Sequence, residues 1–454
     1  MTRAVTEWFA VPVGVLAAAL LLLFAPVPTM QAHVLAITVF CIVVWIGSPV
    51  PPWLTGIVAI GLIGLQLSPD VALTGFESPA TWLIVFGLVV GEATRRSGLA
   101  TALQSFVLAR TLDEDASARR TYYRLLILLS FAGLGFALLL PAALVRVLIA
   151  TPVLLEIGRA FDSREARLGI FFAPIFATYY GAVGVLTANL PNIVITGIVE
   201  NLTGVSITWT DWLLQMFPVM SVARVLLIVG VVAAMYRPPR DETVSIPDAA
   251  ASVSPDARRM LVTLLVGVVF WATDSVHGLH PMFGALLVAV VALLPRVGVM
   301  GYDAVEDIDF SIIFFVGAVF AIADALTKSG FTERAANVLL TLVPNDAPTA
   351  VILAAVFFVT LALSLILEGI AVSSVLTPVL VTFAASAGVN VADVAYTEAA
   401  ALGVFWFPYQ SVVLVVIARV GLVETRDVIK TASALSLATI AVLLPLLLGY
   451  LAVV

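Results

Sequence analysis

Long apolar runs separated by short polar punctuation dominate the chain. Nine uninterrupted runs, at 12–26, 31–46, 53–66, 82–95, 210–235, 260–275, 281–294, 309–327 and 431–453, approach or exceed the length of a membrane helix. Two further runs are interrupted. The crossing at 168–202 is broken by Thr187-Ala188-Asn189-Leu190-Pro191-Asn192, and that at 396–420 by Phe407-Pro408-Tyr409-Gln410-Ser411. Proline lacks an N–H and clashes with a preceding helical carbonyl, so each helix should unwind there. Non-helical backbone at membrane depth is tolerated only against protein or a water-filled cavity. The stretches 122–155, broken at Pro141, and 348–384, broken near Glu368-Gly369, read as hairpins that enter the membrane and turn back. Two segments that turn polar, 99–120 and 331–343, read as interface helices, and Pro69, Asp70, Glu77 and Pro79 mark a loop. The expectation is an all-α polytopic membrane protein with about eleven transmembrane spans, two re-entrant hairpins and two discontinuous helices.

Composition agrees: 62% of the 454 residues are hydrophobic and 11% are charged, roughly half the charge of a soluble domain. The first run follows a single basic residue, Arg3, and resembles a signal peptide; without a small-residue cleavage site after it, it reads as a retained span. Cys41 is the one cysteine, and His33, His277 and His280 form no ligand cluster, so no metal beyond sodium and no cofactor is expected. No phosphate-binding Gly-rich loop or catalytic cluster appears, which argues against nucleotide-driven transport and against an enzyme. Nothing points to nucleic acid; the partners expected are membrane lipid and a small anionic solute.

Charge orients the spans. Of 22 Lys and Arg, two (Lys328 and Arg334) fall outside and two (Arg146 and Arg224) lie in apolar segments when the N-terminus is cytoplasmic; the remaining 18 fall inside. The stretch from Arg237 to Arg259, with Pro238, Pro239, Pro247 and Pro255, reads as a flexible cytoplasmic linker dividing the chain nearly in half.

The halves match. Trp82 to Gly91 with Arg96-Ser97-Gly98-Leu99 resembles Phe310 to Gly317 with Lys328-Ser329-Gly330-Phe331, and Thr151-Pro152-Val153-Leu154 resembles Thr377-Pro378-Val379-Leu380. Ser97-Gly98 is predicted inside and Ser329-Gly330 outside, so the two copies have inverted topology. Such repeats supply inward-open and outward-open states of nearly equal energy, with solute bound where the broken helices meet.

With Phe86-Gly87 to Leu99, the two Thr-Pro hairpins and the Pro191-Asn192 break, the chain resembles the divalent anion/sodium symporter family, the dicarboxylate, citrate and sulfate carriers of the ion transporter superfamily. The resemblance covers roughly residues 30–453. It implies a homodimer in which a transport domain slides against a scaffold. On this chain it implies N-terminal scaffold spans at 1–81, first-repeat transport elements at 82–208 and scaffold spans at 209–308 with the linker 236–259. Second-repeat transport elements would follow at 309–424 and a last scaffold span at 425–454. The family's Ser-Asn-Thr hairpin tips are replaced here by Ala142-Ala143-Leu144 and Glu368-Gly369-Ile370. The first tip has lost every side-chain oxygen and the second has gained a carboxylate, which puts the usual sodium and substrate geometry in question.

The candidate substrate-binding residues are Thr187, Asn189 and Asn192 of the first break, Tyr409, Gln410 and Ser411 of the second, and Arg146. Amides serve either sign of charge, and helix N-termini beyond each break favour an anion. Arg146 could neutralise substrate, stand where a coupling cation would, pair with Glu368, or snorkel. Glu368 could hold a cation, carry a proton or pair with Arg146; Ser373 and Ser374 are further candidates for a coupling ion, with helix back-bonding as the plainer reading. Glu92 and Asp324 occupy matching repeat positions and read as interface acids, with Arg224 a partner for one of them. The function expected is secondary active transport of a small anion (dicarboxylate-like, sulfate or sulfonate) by an elevator-type mechanism coupled to sodium or protons. The alternatives are a cation/proton antiporter and a sodium-independent anion exchanger. The architecture points to a bacterial inner membrane.

Overall fold

The computed structural model describes residues 9–47, 49–99, 102, 117–244, 254–341, 343–344 and 347–453. Among them the apolar runs are helices, and an isolated bridge between Phe161 and Val244 is the sole β pairing. Most of the expected interface helix 99–120 and the middle of the linker lie outside the described residues.

The first helices are α1 (Ala10–Phe24), α2 (Thr29–Gly47), α3 (Pro52–Gln66), α4 (Pro69–Glu77) and α5 (Pro79–Ser97). The expected loop at 69–79 is therefore corrected to a helix, with a 46° bend between α4 and α5. Its cause is local: Ser68 caps α4 by accepting from the Val71 N–H at 3.4 Å, and Pro69 occupies the first turn, where its missing N–H costs nothing.

The first hairpin is α6 (Ala118–Leu139) and α7 (Ala143–Gly158), separated at Leu140-Pro141-Ala142 as predicted. α8 (Arg164–Tyr180) leads to the first break and α9 (Leu190–Thr203) leaves it. α10 (Trp209–Met235) follows, with a π-helical stretch at Phe217–Ala223, then α11 (Pro255–Ala272), the single turn Asp274–His277 and α12 (Met282–Leu293). α13 (Ile312–Lys328) and α14 (Phe331–Thr341) meet at 78°. The second hairpin is α15 (Thr349–Ser364) and α16 (Gly369–Ala387). α17 (Val391–Leu402) precedes the second break and α18 (Val412–Ile417) follows it; α19 (Thr425–Leu451) is last, with its own π stretch at Thr439–Leu443.

Each of the eleven predicted spans coincides with a helix or a broken helix. By length and composition six helices suffice alone to cross a membrane, or up to eight if each of two bent pairs is one span. The repeats also agree in backbone. Gly98 and Gly330 both adopt the left-handed conformation, at φ +75° and +76°, which only glycine enters without strain. The preceding Ser97 and Ser329 each bond back to the carbonyl three residues earlier, at 2.8 and 2.9 Å.

The chain forms two compact units. One comprises Met1–Val85, Leu190–Ile207 and Asp309–Leu402; the other Phe86–Asn189, Thr208–Ile308 and Gly403–Val454. Two of the boundaries fall at the breaks, between Asn189 and Leu190 and between Leu402 and Gly403. In the second unit α6 and α7 both pack along α8, whose buried Phe171, Phe172 and Phe176 join Tyr122, Leu125 and Leu129 of α6 in one apolar core. In the first unit the hairpin α15–α16 packs against α17 and α9.

Candidate functional site

Both breaks begin earlier than the proline signals suggested. The first spans Gly181–Asn189, as two 3-10 turns (Gly181–Gly184 and Leu186–Ala188) and extended Asn189. The second spans residues 403–411, with a 3-10 turn at Pro408–Gln410 and extended Ser411. A glycine, Gly181 or Gly403, marks the N-terminal edge of each gap; Pro191 stands just past the end of the first, whereas Pro408 opens the 3-10 turn inside the second.

An unwound segment in a buried place must find partners for its carbonyls, and in the second unit side chains supply them. Ser221 Oγ of the π stretch donates to Gly181 O at 2.6 Å, and Trp212 Nε1 donates to Val183 O at 3.0 Å. Gly184 permits this approach, since a Cβ there would lie 2.2 Å from Ser221 Oγ and 3.1 Å from Met216 O. Trp209 Nε1 donates to Thr187 Oγ1 at 3.3 Å, so Thr187 is already engaged and is 1% exposed.

Arg146 is fully buried and joins the first tip to the first break. Its Nη1 donates to Leu140 O at 2.5 Å and Pro141 O at 3.1 Å; its Nη2 donates to Thr178 O at 3.1 Å and Ala188 O at 3.0 Å. The group is thus held by four carbonyl oxygens, the donor set a bare cation would take. Arg224 does the same for the two breaks, donating to Tyr180 O at 3.3 Å and to Gly403 O at 2.6 Å. The expected pairing of Arg224 with Glu92 or Asp324 is corrected: Glu92 is held by Arg95 and Arg96, each at 2.6 Å, and Asp324 by Lys328 at 2.8 Å. Neither Arg146 nor Arg224 has a carboxylate partner among the described residues.

The second break closes on the same cluster. Tyr179 Oη lies 2.5 Å from Ser411 Oγ, and the Tyr179 ring stacks on Phe405. Ser411 also caps α18 through the Val413 N–H at 3.2 Å. Gln410 Oε1 accepts from the N–H groups of Trp406 and Phe407 at 2.7 and 2.9 Å, so its carbonyl braces the loop. Tyr409 is 62% exposed and stacks on Phe407 at 5.7 Å. Asn189 is half-buried beside Ala188. Arg146, Thr187 and Ser411 are tied into the second unit by the bonds above, with Asn189 next to Ala188 and Gln410 next to Ser411 in sequence. The second unit also holds buried donors without an acceptor among the described residues: Arg146 Nε, Arg224 Nε, Tyr180 Oη and Trp406 Nε1. Two guanidinium charges with surplus donors fit an acceptor-rich anion.

The remaining candidates lie in the first unit. Glu368 is exposed at the tip and caps α16, its Oε2 accepting from the Ile370 N–H at 3.0 Å. Ser373 and Ser374 are fully buried but bond back to Gly369 O and Ala371 O at 3.0 and 2.8 Å, which is helix back-bonding. Asn192 is fully buried in the first turn of α9, next to Pro191, against which the tip residue Gly369 packs. Sequence reasoning passed over Glu398, fully buried in α17 and bonded to Thr377. An acid inside an apolar span was the available signal. A cavity of about 810 Å³ between α11 and α12, lined by Arg258, Arg259 and Arg296 with apolar residues, includes none of these side chains.

Two discontinuous helices, paired hairpins and backbone-bound cations define a helical membrane carrier of the inverted-repeat type. The chain belongs to the sodium:sulfate symporter family, whose transmembrane region matches residues 6–454; it is therefore a multi-pass membrane carrier and not an enzyme. It is similar to the L-tartrate/succinate antiporter of Escherichia coli strain K12, at 24% identity over 84% of both chains. A membrane protein of Cupriavidus necator is 27% identical over 60% of this chain and 57% of its own length. The crystal structure of the Alcanivorax borkumensis YdaH transporter, described as having an unusual topology, shares the fold at a TM-score of 0.57, with 16% identity over 84% of this chain and 86% of that one.

Proposed function

We propose that the protein carries a small dianion, a dicarboxylate or sulfate, by alternating access, and that Arg146 supplies in fixed form the positive charge that a sodium ion would otherwise bring to the first hairpin tip. The observation that supports this is the Arg146 guanidinium, bound by four carbonyls of the tip, the end of α8 and the break, with no carboxylate partner among the described residues. A tethered charge needs no sodium gradient to be in place. It therefore favours exchange or proton coupling over sodium symport, and the similarity to an antiporter of tartrate and succinate runs in the same direction. The two breaks and the first tip form the anion side of the site: Arg146, Asn189, Gln410 and Ser411 orient the solute, and Thr187 and Tyr409 shape its surroundings. Glu368, Ser373 and Ser374 belong to the other hairpin and Asn192 to α9 packed against it; the tip carboxylate repels an anion and so marks the place for a coupling cation. On this reading 82–208 and 309–424 move as the transport elements against scaffold spans at 1–81, 209–308 and 425–454, in a homodimer of the inner membrane with a cytoplasmic N-terminus.

The experiment is uptake of labelled succinate and of labelled sulfate into proteoliposomes, with sodium, proton and counter-anion gradients imposed one at a time. The expected outcome is uptake of at least one anion in choline buffer without sodium. Uptake that is strictly sodium-dependent would remove the role given to Arg146. Transport of cations with no anion transported would remove the whole reading in favour of a cation/proton antiporter.

A further inference from the structure

Resting on the carrier reading above, we propose that Glu398 is a proton-binding residue of the transport cycle: its carboxyl group is neutral in the conformation described, and takes up and releases one proton per turnover.

Glu398 lies in α17, the first half of the second broken helix, and is fully buried. Oε1 accepts from Thr377 Oγ1 at 2.8 Å, and Oε2 has no partner among the described residues. The helices packed against α17 are α15, α16 and α9. None of these four helices carries Lys, Arg or His. Their titratable groups are Glu368 at the start of α16, Glu200 near the end of α9, and Asp393 and Tyr396 on α17 itself. All are acids or a phenol, so nothing there offsets a negative charge on Glu398. An ionised carboxylate buried without a cation and with a single hydrogen bond is far too costly to persist, and such a group neutralises instead. A carboxylic acid suits the geometry: one oxygen accepts from Thr377, and the other carries the proton.

The repeat supplies an internal control. Thr151, the counterpart of Thr377, bonds back to Val147 O of its own helix at 2.7 Å. Thr377 also precedes a proline inside a helix, yet it turns its hydroxyl to Glu398. Hairpin α15–α16 and broken-helix segment α17 are therefore tied by a bond whose strength changes with protonation, since a carboxylate accepts from a hydroxyl more strongly than a neutral acid does. The step is acid–base only: the carboxylate gains H⁺ from water on one side of the membrane and loses it on the other, with no change of oxidation state.

The test uses purified full-length protein in proteoliposomes with labelled succinate and labelled sulfate as probes. An acid-outside pH gradient is expected to accelerate uptake by the wild type; E398Q is expected to lose that acceleration, and E398D to keep it with a displaced pH midpoint. Acceleration that survives in a monodisperse E398Q overturns the proposal. A second readout needs no transport: infrared difference spectra between acid and alkaline films should contain a carboxylic-acid C=O band that E398Q lacks. Absence of that band from the wild type overturns the proton site even if anions are carried. Its presence with no uptake of either anion upholds the site and sinks the anion reading instead.

Discussion

The two hairpin tips descend from one pattern yet have opposite electrostatic character. At the first, in the second unit, a buried arginine binds four carbonyls, and Arg224 binds two more at the breaks. At the second, in the first unit, an exposed Glu368 caps a helix and a buried Glu398 bonds one hydroxyl. Backbone geometry has been kept between the copies, down to the left-handed glycines after Ser97 and Ser329, while charge has diverged. The repeat thus keeps its backbone framework while the two halves carry opposite signs of charge.

Arg146→Met tests this contrast most severely. It leaves four carbonyls without donors, and an unmet buried polar group costs about 1–3 kcal/mol, so a loss of at least ~4 kcal/mol and of all uptake is expected. Thermal unfolding in detergent checks the first and the uptake assay the second. Arg146→Lys, with three donors, should fall between Met and wild type. Equal stability of Met and wild type would mean that the carbonyls are served by something other than the guanidinium.

Gly184→Ala comes next. Its Cβ would sit 2.2 Å from Ser221 Oγ, and overpacking of this kind costs roughly 1–3 kcal/mol. The double variant with Ser221→Gly removes the closest clash, leaving backbone atoms at 3.1 Å, but also the donor to Gly181 O, so a double-mutant cycle should show coupling between the two sites. Additive effects would disprove the close approach.

The smallest effect is expected at the other tip. Glu368→Ala removes a cap worth about 1 kcal/mol, while Glu368→Gln keeps an acceptor for the Ile370 N–H and should be nearly silent in thermal melts. A collapse on Glu368→Gln as deep as that of Arg146→Met would end the distinction between an exposed cap and a buried clamp.

The spans, both hairpin breaks and the repeat were legible because apolar run length and proline report on them directly. The N-terminal edges of the broken helices were not: Gly181 and Gly403 lie within apolar runs, and their unwinding depends on partners such as Ser221 and Arg224 that are distant in sequence. Arg146 was visible as a charge out of place, but its partners are backbone carbonyls, which carry no side-chain signature. Gln410 was readable as an amide near a break, though not that its carbonyl would be turned onto the N–H groups of Trp406 and Phe407. Ser68-Pro69-Asp70 carries a helix-start signal for α4 that the loop reading overlooks, and Glu398 is passed over although the rule that singles out Arg146 applies to it too.

The π stretch of α10 at Phe217–Ala223 has a further consequence. A π turn is in effect one residue inserted into an α-helix, and each residue of an α-helix advances the side chains by about 100°. Deleting one residue there would restore regular winding but rotate either Trp212 or Arg224 off its carbonyl partner. The extra residue acts as a phase shift that lets one helix face the unwound strand with both its halves. The second π stretch, Thr439–Leu443 of α19, follows Ser436, which donates to Phe405 O of the second break at 2.6 Å. Along α10 the phase of the helix, and not only the residue types on it, thus brings Trp212 and Arg224 to their carbonyl partners.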